Sequence, residues 1–287
     1  MTGVAGVTEF AIRNALQSVG LSGRPLCVHS SLRSFGNVEG GAPTAVQSLL
    51  AEGCTILVPT FSSTAYEVWP DPPDTIERNG VPRNSQRRVP ARAGGAFSPD
   101  VNDSDGEMGA IPAAVLAMPE RVRGNHPLDS FSAVGPLAHE LVDAQSWSSV
   151  FAPLEALIAA EGAVVLMGVG LDRLTLLHLA EYRAGRSPFV RWATRADGSI
   201  MRVRLGGCSD GFPRLAPALA AVTEQKRVGD SRWSVLPAAE AVEIATEAIR
   251  ANPEITHCAN PACDRCNDAV LGGPQSLRMV DSFDRLP

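Results

Sequence analysis

The run GVGLDRLTLLHLAE, residues 168–181, sets Thr175, His178 and Glu181 three positions apart in a largely apolar stretch. In a helix this spacing drifts by only about 60° per step, so the three side chains share one broad face. Histidine titrates near neutral pH and can take a proton from an incoming nucleophile. A carboxylate beside it would hold one tautomer and stabilise the imidazolium. The same pattern also suits a histidine satisfied within its own helix, with a solvated glutamate one turn on. H-x-x-E is not the H-E-x-x-H spacing of a zinc hydrolase.

A second candidate is VHSSLRSFG, residues 28–36, where serines and Arg33 follow an apolar run and precede a glycine-rich stretch. Hydroxyls, a guanidinium and backbone amides suit a diphosphate. An ordinary turn with a capping serine would look the same. Neither G-x-x-x-x-G-K-[ST] nor G-x-G-x-x-G occurs there, which argues against a P-loop or a dinucleotide fingerprint. A third candidate is HCANPACDRCND, residues 257–268. Cys258, Cys263 and Cys266 are spaced to supply three ligands to a structural Zn²⁺, with His257 or the distant Cys208 as a fourth. Free thiols packed in a turn are the alternative.

These segments need a scaffold, and the hydrophobic pattern supplies one. Apolar runs from Pro25, over Cys54–Phe61 and over Gly162–Gly170 read as buried strands. GGAPTAVQSLLAEG reads as a helix between the first two, with Pro43 in its first turn, where a missing N–H costs little. Strand, helix and strand within about 35 residues argue for a parallel sheet. Further helices are expected over Thr8–Val19, from Met108, over Pro136–Ala144, Pro153–Ala160, Phe212–Glu224 and Pro237–Ala251. Strands are expected over Phe189–Thr194 and Ile200–Leu205. The fold class is therefore α/β, a central mostly parallel sheet flanked by helices, forming a single domain over 1–287. Residues 62–107, rich in proline and charge, break the pattern and read as a long loop excursion over the site.

Bulk properties narrow the function. Of 287 residues, 45% are hydrophobic, enough for a substantial core, and the net charge is −6. An acidic balance disfavours nucleic acid and suits a cationic partner. No apolar run approaches the ~20 residues that span a bilayer, and the N-terminus lacks a secretory pattern. A cytoplasmic protein with no membrane association is expected.

Taken together, HSSLRSFGNVEGGAPT, PTF, MGAIP, NHPLDSFSAVGP and GVGLDRLTLLHLAEYRA, in this order across roughly residues 25–185, resemble the aminoglycoside 3-N-acetyltransferase family. The resemblance implies direct transfer of acetyl from acetyl-CoA to the 3-amino group of a 2-deoxystreptamine aminoglycoside, conferring antibiotic resistance. It implies His178 as base, with Thr175 and Glu181 in support. It assigns Ser30, Ser31, Leu32, Arg33, Ser34, Phe35, Gly36 and, less directly, Ser104 to the coenzyme. For the cationic antibiotic, Tyr66, Asp172, Glu181 and Glu224 are the expected contacts, and the 62–107 excursion is where substrate range is expected to lie. Other readings stay open. One is a CoA-dependent N-acetyltransferase acting on a different amine, such as a biosynthetic intermediate. Another is a non-catalytic sugar-binding module. A zinc deaminase fits less well: P-C-x-x-C is here interrupted by Ala262, and the histidine motif lies in another segment.

Overall fold

The computed structural model describes residues 6–68, 96–186, 189–267 and 269. Most of the 62–107 excursion, residues 69–95, lies outside the described residues. The strands are β1 (Pro25–Ser30), β2 (Thr55–Pro59), β3 (Glu67–Val68), β4 (Val122–Arg123), β5 (Phe131–Val134), β6 (Ala163–Met167), β7 (Phe189–Thr194), β8 (Ile200–Leu205), β9 (Glu224–Val228) and β10 (Ser231–Pro237). Seven form the central sheet in the order β4-β5-β2-β1-β6-β10-β9. Its centre is parallel: β1 pairs with β2 and β6, with Leu26 opposite both Ile56 and Ala163. β5 and β10 run against their neighbours, while β4, β2, β1, β6 and β9 all point one way.

Side chains alternate across this sheet as the pleat demands. Leu26, Val28, Ile56, Val58, Val165 and Met167 meet the Glu9–Ser18, Gly41–Ala51 and Ala110–Leu116 helices. Cys27, Leu57, Val164 and Leu166 meet the Ala152–Ala159, Leu176–Arg183 and Ala238–Ala251 helices on the other face. The central strands are buried on both faces, which is why they read as continuous apolar runs. Thr8 caps the first helix, accepting from the Ala11 N–H at 3.2 Å.

A separate antiparallel sheet, β3-β7-β8, carries its own small core of Tyr66, Phe97, Leu128, Ala193 and Val203. The β9–β10 hairpin was not expected. In place of helix throughout Phe212–Glu224, short helical turns end at Val222 and the chain then enters β9. The sequence EQKRV is charged because β9 is the outermost strand and mostly exposed. Among the described residues, no helix is long and apolar enough to cross a membrane.

Candidate active site

The carboxyl ends of β1, β2 and β6 open into one cleft of about 850 Å³, where parallel α/β sheets usually present their ligand sites. One wall carries Ser30–Arg33 and another Asp172–Thr175 with His178. The end of β8, Leu205–Gly207, faces them. Gly168, just past β6, has φ 71° and lies so close to the Ser34 hydroxyl that no side chain would fit. That glycine lets the loops after β1 and β6 meet.

His178 is placed by its helix. Leu176, Leu177, Leu179 and Ala180 are buried in the core, so the helix offers its opposite face outward, with His178 and Glu181 on it. The two pair: His178 Nδ1 lies 3.0 Å from Glu181 Oε2. Glu181 Oε1 accepts from Arg186 Nη1 at 2.7 Å and from the Thr256 hydroxyl at 2.8 Å. Arg186 also donates to the Thr256 hydroxyl and the Pro253 carbonyl. Burial opposes charge on Glu181. The hydrogen bond and charge of His178, with Arg186, outweigh it and hold the carboxyl below the usual carboxylate range. An ionised Glu181 accepts only, so it selects the Nδ1–H tautomer and leaves Nε2 with a lone pair. Among the described residues, Nε2 has no hydrogen-bond partner. Phe212 packs edge-on against the ring at 4.7 Å. A Cβ on Gly206 would sit 2.6 Å from the ring Cδ2, so glycine is required there.

None of the other four histidines combines these features. His29 and His126 are buried, and desolvation lowers each to about 4. His29 Nε2 is 3.6 Å from Cys27 Sγ. His126 Nδ1 accepts from the Asp129 N–H, while Nε2 donates to the Arg204 carbonyl. His139 pairs with Asp143 on the exposed surface. His257 is held between the Cys258 carbonyl and Asn267.

Asp129 is a cleft residue that sequence reasoning missed. It sits in the NHPLDSF segment, without a periodicity that marks it. His126 holds its backbone, the Gly206 N–H donates to its Oδ2 at 3.3 Å, and it lines the cleft that His178 also lines. Burial pushes its carboxyl up to about 7, although the Gly206 N–H and the His178 charge pull the other way. A raised folded pKa favours the neutral fold, so this contribution to stability is complete below pH 4 and lost as pH rises to 7. The loss is of the order of 4 kcal/mol. Asp129→Asn is expected to flatten the fall in unfolding free energy between pH 4 and 7, followed by urea titration. An unchanged slope would show that the proton resides elsewhere.

The other expected residues divide. Ser30, Ser31, Leu32, Arg33, Thr175 and Asp172 line the cleft, with Asp172 3.5 Å from Arg173. Ser34, Phe35 and Gly36 do not line it. The Ser34 hydroxyl donates to the Ser31 carbonyl and meets Ser231. Phe35 is core, edge-on to Trp233, and Gly36 ends the turn with φ 82°. Ser104 is half-buried and off the cleft wall. Tyr66 is also off the wall; it donates to Asp103 and packs on Phe97. Glu181 is off the cleft wall, and its oxygens already accept from His178, Arg186 and Thr256. Glu224 lies on β9, at the far edge of the sheet. Cys258, Cys263 and Cys266 do converge, and Cys208 joins them, whereas His257 does not.

The family model for aminoglycoside 3-N-acetyltransferase matches residues 27–250. The chain belongs to the aminoglycoside 3-N-acetyltransferase family. Aminoglycoside N(3)-acetyltransferase IX of Micromonospora chalcea is 35% identical over 183 residues, 61% of this chain and 62% of that protein. Aminoglycoside N(3)-acetyltransferase VIII of Streptomyces fradiae is 34% identical over 185 residues, 62% of each. The matched region thus spans less than two thirds of these curated relatives. The fold extends further. A mutant of aminoglycoside acetyltransferase AAC(3)-IVa in complex with a gentamicin superposes with TM-score 0.72 at 22% identity, covering 94% of this chain and 99% of that one. AAC-IIIb in a binary complex with CoASH gives 0.70 at 22% identity, covering 86% and 97%. In this family's terms, the His178–Glu181 pair falls within the matched segment, while Thr256 and three of the clustered cysteines lie beyond it.

Proposed function

We propose that this chain transfers acetyl from acetyl-CoA to the 3-amino group of a 2-deoxystreptamine aminoglycoside, with His178 as general base and resistance to the antibiotic as the outcome. The observation that carries this reading is the His178 ring: Nδ1 on Glu181, Nε2 without a partner among the described residues, and the ring on the cleft wall. Nε2 removes the proton that keeps the sugar amine from attacking the thioester. The amine then forms the new C–N bond while the C–S bond breaks, and coenzyme A leaves as the thiol. Glu181 stabilises the imidazolium formed meanwhile. No acyl-enzyme is required, so Ser30 and Ser31 serve binding.

Ser30, Ser31, Leu32 and Arg33 suit the coenzyme: two hydroxyls and an exposed guanidinium at a strand end fit a diphosphate. Arg33→Ala is expected to raise the Kd of coenzyme A about tenfold, the loss of one charge-assisted contact, with antibiotic affinity kept. Calorimetry with each ligand separately reads this, and equal weakening of both would misplace the coenzyme. Glu67, Asp105, Glu107, Asp129 and Asp172 line the cleft beside four arginines and are the carboxylates that would meet a cationic antibiotic. An ammonium beside Asp129 would compensate its buried charge, making it the strongest candidate anchor. A structural zinc at Cys258, Cys263 and Cys266 accompanies this reading and supplies none of the transfer chemistry. The whole acts as one cytoplasmic acetyltransferase domain.

Thiol release from acetyl-CoA against amines with and without a 3-amino group tests the reading. Turnover confined to 3-amino aminoglycosides is expected. Turnover confined to other amines would point to a biosynthetic substrate, and no turnover with any of them to a binding module.

A further inference from the structure

Two segments brace the catalytic pair from outside its own helix. The first, residues 206–212, packs Gly206 under the His178 ring and Phe212 against its edge. The second, residues 253–257, brings the Thr256 hydroxyl to Glu181 and the Pro253 carbonyl to Arg186. The segments touch each other: Gly211 lies directly against the Thr256 carbonyl, with no space for a side chain. Each runs into cysteine. Cys208 is two residues beyond Gly206, and Cys258 is two residues beyond Thr256, with Cys263 and Cys266 following.

The ligand atoms of these four cysteines lie within 4.8 Å of one another. All four are free thiols rather than disulfides. Four thiolates around zinc at about 2.3 Å stand roughly 3.8 Å apart, so only a slight contraction is needed. Cys258 and Cys266 are buried, and the Cys258 N–H already points to Cys266 Sγ at 3.4 Å. A backbone donor to sulfur is the outer-shell support expected around a thiolate site. Four soft donors make a closed tetrahedral set, with no open position for water or substrate.

We propose that Cys208, Cys258, Cys263 and Cys266 hold one Zn²⁺, with Cys208 as the fourth ligand, and that this metal clamps residues 206–212 to residues 253–266 and so positions the His178–Glu181 pair. On binding, each cysteine gives up its proton and lends a lone pair to the metal. The clamp matters because the two segments are some fifty residues apart in sequence and otherwise irregular. It ties them directly, in addition to the Gly206–Asp129 and Thr256–Glu181 hydrogen bonds that already place Gly206 and Thr256 at the two ends of the catalytic pair. The positioning half rests on His178 being the base; the metal site stands independently of it.

The full chain, purified without chelator, is expected to carry about one zinc by elemental analysis. Cobalt exchanged into it should show thiolate-to-metal charge-transfer and tetrahedral d–d bands of a four-sulfur site. Cys208→Ser should lose that signature and Cys208→His should retain the metal, while His257→Ala should keep both metal and spectrum. Chelation of folded protein should lower kcat by ~10–100-fold with the KM for acetyl-CoA little changed, and added zinc should restore it. Absence of metal, or an unchanged four-sulfur spectrum in Cys208→Ser, overturns the site. A zinc-free protein that stays folded and keeps full kcat overturns the positioning role. If His178→Ala retains turnover, the base assignment and positioning role fall together, and the metal stoichiometry still decides the site.

Discussion

Replacing His178 with alanine is expected to lower kcat by ~10²–10⁴-fold, the usual cost of removing a general base. The fold should survive. Glu181 keeps Arg186 and Thr256 as donors, so no buried carboxylate is stranded. Coenzyme A should bind as before, since Ser30–Arg33 lie on another wall. The residual rate should rise with pH, because solution must then deprotonate the amine that Nε2 deprotonates in the wild type. Steady-state thiol release across pH, with coenzyme A affinity by calorimetry, reads both effects. A mutant that turns over at the wild-type rate would remove His178 from the chemistry.

Glu181→Gln is the second large effect, and it acts on rate and stability together. The amide no longer stabilises an imidazolium and does not impose one tautomer, so kcat should fall by ~10²-fold or more. Arg186 is also left buried without its counter-charge, which costs roughly 3–5 kcal/mol. A second change, Arg186→Met, separates the two. The double variant should regain most of the lost stability in urea unfolding and none of the lost kcat. Recovery of both would reduce Glu181 to a packing role, and recovery of neither would mean that Arg186 stabilises through Thr256 and Pro253 instead.

The value of Arg186 and Thr256 explains why half the site was hidden in the chain. His178 and Glu181 are i,i+3 on one helix, so their pairing is local and visible as spacing. Thr256 reaches Glu181 from 75 residues away. Asp129 becomes a cleft carboxylate only because His126 holds its loop and Gly206 arrives from β8. The charge of Glu224 serves an exposed edge strand as well as it would a binding site. Tyr66 packs into the second sheet's small core, a placement that no local spacing announces.

By itself the sequence determined what depends on short range. Apolar runs at Pro25, Thr55 and Ala163 dictated strands buried on both faces. The glycine turn after β6 dictated a strand-to-helix step that carries His178 to the carboxyl end of the sheet. It also supplied three cysteines at metal-ligand spacing. Tertiary structure alone decided the joining of β3 to β7 in the second sheet and the choice of Cys208 over His257 beside those cysteines. The reason is physical: hydrogen bonds, burial and donor sets made across fifty or more residues leave no period in the chain, and they exist only once the core has brought the segments together.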